Sequence, residues 1–123
     1  MPFAAPKDII ISPTYVPDLA HACLDLLLDK EQGIWHLVNE GEITWADFAT
    51  MALEKSGCTG RLVDVKSLDE MQLIAPRPHY SVLKTEKGIR LPPLENALNR
   101  FFSDTMPSHR ERYKNVQMQN KSV

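Results

Sequence analysis

The stretch Thr44-Trp45-Ala46-Asp47-Phe48-Ala49 contains the clearest start of a helix in this chain of 123 residues. The Thr44 hydroxyl can accept a hydrogen bond from the third helical N–H, and Asp47 stands where an acid completes a capping box. Apolar residues then recur at helical spacing, and Gly57 is placed to terminate the helix in a left-handed conformation. The sequence therefore predicts a helix that begins at Trp45 and ends before Gly57.

Short apolar runs stand on both sides of this helix. Residues 33–39, Gly-Ile-Trp-His-Leu-Val-Asn, have the pattern of a buried strand between turns, and residues 61–66 form a second strand candidate. A strand, a crossover helix and another strand favour parallel pairing in one sheet. We therefore expect residues 34–38 to pair with residues 62–66.

An earlier strand and helix are predicted near the start of the chain. Residues 8–12 form a β-branched run that is ended by Pro13, and Val16-Pro17-Asp18 then opens a helix that should run to about Asp29. The polar residues of this helix make one narrow stripe, so the pattern predicts a wide buried face. Cys23 lies in an apolar part of it, and both Cys23 and Cys58 are expected to be reduced, buried thiols.

A third helix is predicted to start at residues 92–95 and to carry an apolar stripe as far as Phe102. These elements indicate an α+β fold: a small mixed domain with short parallel strand pairing, about three main helices and no Rossmann domain. We assign residues 1–103 to this domain. Residues 104–123 are polar and are predicted to form a mobile C-terminal tail.

Composition argues against several classes of function. The formal net charge is −2, with no basic excess to neutralise nucleic acid phosphates. The two cysteines have no spacing suited to zinc, and no apolar stretch approaches the length of a membrane span. The start of the chain lacks the basic region of a signal peptide. We expect a cytoplasmic protein that binds no metal, no nucleic acid and no membrane.

The segment Pro76-Arg77-Pro78 is the most specific binding candidate. Each proline fixes its own backbone angle and favours an extended conformation in the residue before it, so Arg77 stands on a stiff support. A planar guanidinium can bind phosphate oxygens through two parallel hydrogen bonds. An intramolecular salt bridge of Arg77 to a nearby acid accounts for the residue equally well, so both interpretations stay open.

The stretch Tyr80-Ser81-Val82-Leu83-Lys84 has the Tyr-x-x-x-Lys spacing of short-chain dehydrogenases, in which lysine lowers the tyrosine pKa. We interpret the match as accidental, because the functional motif belongs on a helix of a nucleotide-binding domain and this stretch follows two prolines. The five glycines also never approach the spacing of a dinucleotide fingerprint. The sequence thus predicts no catalytic residue and no cofactor-binding residue in this chain.

Of the four histidines, only His79 has a setting typical of a site, because it stands beside Arg77. His36 falls in an apolar run, where a satisfied core or interface histidine is expected, and His109 falls in the tail. No local signature of a hydrolytic triad accompanies them.

Five motifs in register resemble the C-terminal part of dTDP-4-dehydrorhamnose reductases, over roughly residues 8–102. They are Ser12-Pro13-Thr14-Tyr15-Val16-Pro17-Asp18-Leu19-Ala20, Gly33-Ile34-Trp35-His36-Leu37, Gly41-Glu42-Ile43-Thr44-Trp45-Ala46-Asp47-Phe48-Ala49, Arg77-Pro78-His79-Tyr80-Ser81-Val82-Leu83 and Leu91-Pro92-Pro93-Leu94-Glu95-Asn96-Ala97-Leu98. The resemblance implies the substrate-binding portion of an extended short-chain dehydrogenase that reduces a dTDP-4-keto-6-deoxy sugar with NADPH in dTDP-L-rhamnose biosynthesis.

The resemblance also implies which partners this chain would have. In such enzymes an N-terminal Rossmann domain supplies the cofactor fold and the Tyr-x-x-x-Lys pair, so the expected partners are that domain, in cis or in trans, and a dTDP-sugar. Substrate-binding candidates within the matched motifs are Thr14, Arg77, His79 and Tyr80.

Because the helix from Pro17 to Asp29 is apolar over most of its surface, self-association is also expected.

Two classes of function follow from the resemblance. In the first, the chain is the sugar-nucleotide-binding portion of an NADPH-dependent reductase and is inactive alone. In the second, it is a non-catalytic interaction or regulatory module, as in the regulatory subunit of methionine adenosyltransferase, which resembles the same family. A glycine-rich strand-to-helix turn and a helical Tyr-x-x-x-Lys encoded upstream of Met1 would favour the first class.

Overall fold

A computed structural model describes residues 2–58 and 60–105 of the chain. Over these residues the fold is α+β, with three helices and short strand pairs, as the sequence predicts. The helices are α1 (Val16–Leu28), α2 (Trp45–Ser56) and α3, which occupies residues 94–105 of the described part. The strands in the described part of the chain are β1 (Phe3–Pro6), β2 (Ile10–Ile11), β3 (Asn39–Glu40), β4 (Ile43–Thr44), β5 (Val63–Lys66), β6 (Tyr80–Ser81) and β7 (Leu91–Pro93).

These strands of residues 2–58 and 60–105 form three small sheets. β1 pairs with β5 in parallel, and β3 pairs with β7 in parallel. The middle sheet has the order β4-β2-β6, with β2 antiparallel to β4 and parallel to β6. Helix α2 packs against β1, β4 and β5, and α1 packs against β7. The hydrophobic core between these layers is built largely from small and medium side chains: Ala5, Ile9, Ala22, Val38, Ala46, Leu91, Ala97 and Leu98.

The helix predictions hold closely. Thr44 has an extended backbone and its Oγ1 accepts a hydrogen bond of 3.1 Å from the Asp47 N–H, which is the predicted cap of α2. Gly57 ends α2 with a φ of 68°, in the left-handed region that favours glycine. A 3₁₀ turn lies between β5 and β6, at Asp69–Met71.

Two strand predictions are wrong. Residues 34–38 contain no regular strand, and the parallel partner of β5 is β1 rather than residues 34–38. The apolar run ends in a strand only at Asn39–Glu40, which pairs with β7. A short apolar run does not indicate which strand it pairs with. The sequence also does not predict β1, because Phe3–Pro6 is short and contains proline.

The burial predicted for α1 is also wrong. Asp18 and Ala22 are its buried residues, whereas most of its apolar side chains face outward. Cys23 and Cys58, which we expected to be buried, are exposed free thiols. Part of the predicted polar stripe, Asp18, therefore lies on the buried side of the helix.

The predicted boundary between domain and tail lies close to the end of the described residues. Helix α3 continues to residue 105, two residues beyond the predicted end of the domain. The rest of the predicted tail, residues 106–123, lies outside the described residues. Within the described part, no helix is long and apolar enough to cross a membrane.

Candidate functional site

The segment with the candidate binding residues is extended and is held at one edge of the middle sheet. Tyr80 and Ser81 form β6, in register with Ile10 and Ile11 of β2. The Ile10 N–H donates a hydrogen bond of 2.8 Å to the carbonyl oxygen of His79. The prolines on either side of Arg77 stiffen the backbone just before this pairing. Arg77 is thus supported from both directions.

A second contact ties this segment to the loop that carries Thr14. The Ser12 hydroxyl accepts a hydrogen bond of 2.8 Å from the Leu83 N–H. Thr14 follows two residues later, half-buried in the loop between β2 and α1. The chain therefore fixes the loop 12–15 beside the far end of the β6 segment.

Arg77 lies between two cavities. One is an apolar groove of about 500 Å³, lined mainly by side chains from β1, β2 and the segment after the 3₁₀ turn. The other is a more polar cavity of about 340 Å³, which Arg77 lines together with His79. The groove is lined by Phe3, Ala4, Ala5, Pro6, Ile9, Ile11, Trp45, Met71, Leu73, Arg77, Pro78 and Ser81.

His79 is held by the chain just before β2. Its Nδ1 lies 3.0 Å from the Asp8 carbonyl oxygen and 4.0 Å from the Asp8 Oδ2. A neutral imidazole whose Nδ1 carries the proton would donate to that carbonyl and leave Nε2 as an acceptor. The structure therefore brings Arg77 and His79 to one cavity, with their backbone positions set by the same strand pairing.

Tyr80 is used differently. Its hydroxyl donates a hydrogen bond of 2.7 Å to the Glu42 Oε2, and this bond raises the pKa of Tyr80 above its usual value. The Tyr-x-x-x-Lys mechanism needs the opposite shift, and it needs a helix, whereas Tyr80 stands on a strand. Lys84 lines a third cavity together with Glu42. Tyr80 and Thr14 do not line the two cavities beside Arg77.

A buried polar cluster around Asn39 stabilises the loop 12–15. Asn39 is 1% exposed, and its Oδ1 accepts a hydrogen bond of 2.7 Å from the Tyr15 N–H. Its Nδ2 donates to the Asp18 carboxylate at 2.8 Å and to the Pro92 carbonyl at 2.9 Å. Arg100 completes the cluster with two hydrogen bonds of 2.6 Å to Asp18. These bonds join the start of α1 to β3, β7 and α3.

Arg100 also favours the ionised form of Asp18. Its hydrogen bonds hold the pKa of Asp18 below the usual value of an aspartate, with a smaller contribution in the same direction from Asn39. The Arg100 guanidinium lies 5.2 Å from the centre of the Tyr15 ring, and the Tyr15 hydroxyl donates to Asp104 at 3.0 Å. The sequence pattern placed Asp18 on a solvent-facing stripe, because its partners lie far along the chain and no local spacing reveals them.

The strand-to-helix connections do not fit a dinucleotide. The loop from β2 to α1 is Ser12-Pro13-Thr14-Tyr15, and β4 and β7 run directly into α2 and α3. A dinucleotide pyrophosphate needs glycines at such a turn so that the backbone can approach it. In residues 2–58 and 60–105, no group of three or more His, Cys, Asp or Glu side chains is arranged to hold a metal ion.

The fold and sequence match known proteins of one family. Residues 3–106 match the family model described as RmlD substrate binding domain. The chain is 38% identical over 102 residues to the spore coat polysaccharide biosynthesis protein SpsK of Bacillus subtilis, covering 80% of this chain and 35% of that protein.

Two solved structures extend the comparison. A dTDP-4-dehydrorhamnose reductase from Bacillus anthracis, in complex with NADP, superposes with a TM-score of 0.76 at 30% identity, covering 84% of this chain and 38% of that chain. The corresponding reductase from Clostridium acetobutylicum gives 0.75 at 25% identity, covering 82% and 38%. This chain thus spans little more than a third of the proteins it matches. Because the family model covers most of its length, the chain belongs to the family of RmlD substrate-binding domains.

Proposed function

We propose that this chain binds the sugar nucleotide of an NADPH-dependent dTDP-4-dehydrorhamnose reductase and is inactive without the N-terminal Rossmann domain that the resemblance implies. The observation that carries the proposal is the position of Arg77. It stands on a proline-flanked, strand-paired segment between an apolar groove and a polar cavity. A guanidinium on a stiff backbone at that boundary suits a ligand with both an apolar part and a diphosphate.

Each candidate residue has a part in this proposal. The Arg77 guanidinium would bind diphosphate oxygens, and His79, in the same cavity, would donate to or accept from neighbouring oxygens. The apolar groove, with Trp45 in its lining, suits a base or a deoxysugar ring. Thr14 and Tyr80, which line neither of these cavities, would contact only a part of the ligand that extends beyond them along the loop 12–15 and β6.

The reduction itself would depend on groups that this chain does not supply. NADPH, when bound to the Rossmann domain, supplies the hydride. The residues described here do not fit that cofactor, since no strand-to-helix turn carries the glycines it needs. The proposed contribution of this chain is to bind and orient the sugar nucleotide.

A chimaera tests the proposal. This chain replaces the matched segment of the Bacillus anthracis reductase, and NADPH oxidation is followed with a dTDP-4-keto-6-deoxy sugar. We expect no oxidation above blank by the chain alone and measurable turnover by the chimaera. A folded chimaera that binds NADPH but neither binds nor reduces the sugar nucleotide would contradict the proposal and favour the alternative, a non-catalytic interaction or regulatory module.

A further inference from the structure

Asp8 lies where the β1–β5 sheet meets the middle sheet. The Lys7 N–H donates a hydrogen bond of 2.9 Å to the Lys66 carbonyl oxygen, which continues the β1–β5 pairing by one bond. The middle sheet is reached at Ile10, whose N–H donates to the His79 carbonyl oxygen. Asp8 stands between these two pairings, and its side chain is 35% exposed. This position puts Asp8 next to elements that belong to both sheets.

The Asp8 side chain holds one wall of the polar cavity of about 340 Å³. This first wall is the 3₁₀ turn with the residues beside it, of which Leu68, Asp69 and Gln72 line the cavity. The Asp8 Oδ1 accepts a hydrogen bond of 2.8 Å from the Leu68 N–H, in a partly buried contact. The N–H groups at the start of a helical turn have no partner within the turn, so a side-chain acceptor stabilises the turn there.

The Asp8 main chain holds the second wall, which is the segment 75–79. Its carbonyl oxygen lies 3.0 Å from the His79 Nδ1. A carbonyl oxygen can only accept, so this contact requires a proton on Nδ1 and, in the neutral ring, none on Nε2. Asp8 therefore anchors the His79 ring and also selects its tautomer. Arg77 lies two residues before His79 in the same wall and lines the same cavity.

We propose that Asp8 is a positioning residue of this cavity: it holds both walls in place and presents His79 with Nε2 as a hydrogen-bond acceptor. The Arg77 guanidinium binds an anion, whereas Nε2 accepts from a hydroxyl or an N–H group. An ionised diphosphate offers acceptors and no donor, so His79 pairs with a hydroxyl or N–H of the sugar nucleotide. This ligand rests on the function proposed above, whereas the tautomer and the held walls rest on the contacts of Asp8 alone.

The chain offers a matched control for Asp8. Asp64 of β5 has a side chain of similar exposure, 43%, and its Oδ2 lies 3.2 Å from the Lys66 Nζ. Asp64 lines neither of the two cavities beside Arg77. Asp64→Ala therefore removes an acid from the neighbouring sheet without removing a contact to either wall.

Nitrogen NMR of the chain without ligand tests the positioning directly. At about pH 8.5, where imidazole is neutral, the His79 ring should carry its proton on Nδ1, and His79→Asn assigns its signals. In hydrogen exchange, Asp8→Ala should speed the Leu68 amide at least about tenfold, and Asp64→Ala less than about twofold. Asp8→Asn keeps a side-chain oxygen and should retain most of the protection. The tautomer is measured in the unaltered chain, so it decides even where Asp8→Ala fails to fold.

Binding by the chimaera then tests the ligand. His79→Asn keeps a side-chain N–H beside the Asp8 carbonyl but has no acceptor in place of Nε2. We expect His79→Asn and Asp8→Ala each to weaken dTDP-sugar binding about tenfold, and Asp64→Ala to weaken it less than about twofold. The double variant of Asp8 and His79 should bind little more weakly than either single variant, because once the walls shift, Nε2 no longer meets the ligand.

Three results would overturn the proposal: a proton on Nε2, a Leu68 amide that exchanges equally fast in folded Asp8→Ala and in the unaltered chain, or equal losses of affinity in Asp8→Ala and Asp64→Ala. A chimaera that binds no dTDP-sugar, while the ring proton is on Nδ1 and the Leu68 amide depends on Asp8, would contradict the proposed function and leave the positioning role of Asp8 supported. The measurements without ligand therefore separate failure of the two proposals.

Discussion

Arg100 donates two hydrogen bonds of 2.6 Å to the carboxylate of Asp18, which lies 82 residues earlier in the chain. Asp18 is 9% exposed, and Asn39 donates a further hydrogen bond to the same carboxylate. A buried carboxylate is tolerated only when such partners compensate for its lost hydration. This contact joins the start of α1 to α3 and fixes the backbone that leads into the loop 12–15.

Asp18→Asn should destabilise the fold markedly. The substitution removes the negative charge that compensates the partly buried guanidinium of Arg100, and breaking such a pair costs about 2–4 kcal/mol, somewhat less than for a fully buried pair. Urea unfolding would measure the change in free energy of unfolding. Asp25→Asn, at an exposed residue of the same helix, is the control and should change it by less than about 0.5 kcal/mol. Equal effects of the two substitutions would contradict a structural role for the Asp18 ion pair.

The same contact predicts an acid-sensitive contribution to stability. Because Arg100 lowers the pKa of Asp18 in the folded chain, the folded state binds that proton less readily than the unfolded state does. The contribution is therefore complete above about pH 3.9, the usual pKa of an aspartate, and is lost as the pH falls below it. The urea midpoint, measured between pH 2 and pH 6, should fall on acidification in the wild type and should fall less in Asp18→Asn. Parallel acid limbs would contradict the assignment.

Arg77→Lys should weaken sugar-nucleotide binding in the chimaera by about 1–3 kcal/mol, the scale of a hydrogen bond to a charged group. Lysine keeps the charge but loses the planar fork that binds two oxygens at once. Calorimetric titration with a dTDP-sugar would measure the affinity, and the thermal midpoint should be unchanged because Arg77 is exposed. Intact affinity with a lowered midpoint would instead show that Arg77 is a structural ion-pair residue.

Gly57→Ala should destabilise the chain by about 1–2 kcal/mol, because an L-residue with a side chain is strained in the left-handed conformation. Gly57 has a φ of 68° at the end of α2, and the space around its Cα is open, so the cost comes from the backbone alone. Gly88→Ala is the matched control, since its surroundings are equally open and its backbone is not left-handed. Thermal denaturation compares the two variants, and equal midpoints would rule out the strain.

The sequence by itself determined those local features of the fold that depend on residues adjacent in the chain. The cap at Thr44, the left-handed end at Gly57, the opening of α1 near Pro17 and the extended segment around Arg77 all follow from contacts within a few positions. Such contacts depend on local backbone geometry and hydrogen bonding, which local sequence specifies. The family resemblance rests on the same short motifs.

Only the tertiary structure decided which elements meet. The parallel partner of β5 is β1, the inward side of α1 is the one with Asp18, and Cys23 faces outward. Strand pairing and burial depend on residues far apart in the chain. The periodicity of a segment therefore indicates which of its faces is apolar, but not which element packs against that face. Residues 34–38 show the limit most clearly: their sequence has the pattern of a buried strand, but a strand forms only where another strand completes its hydrogen bonds.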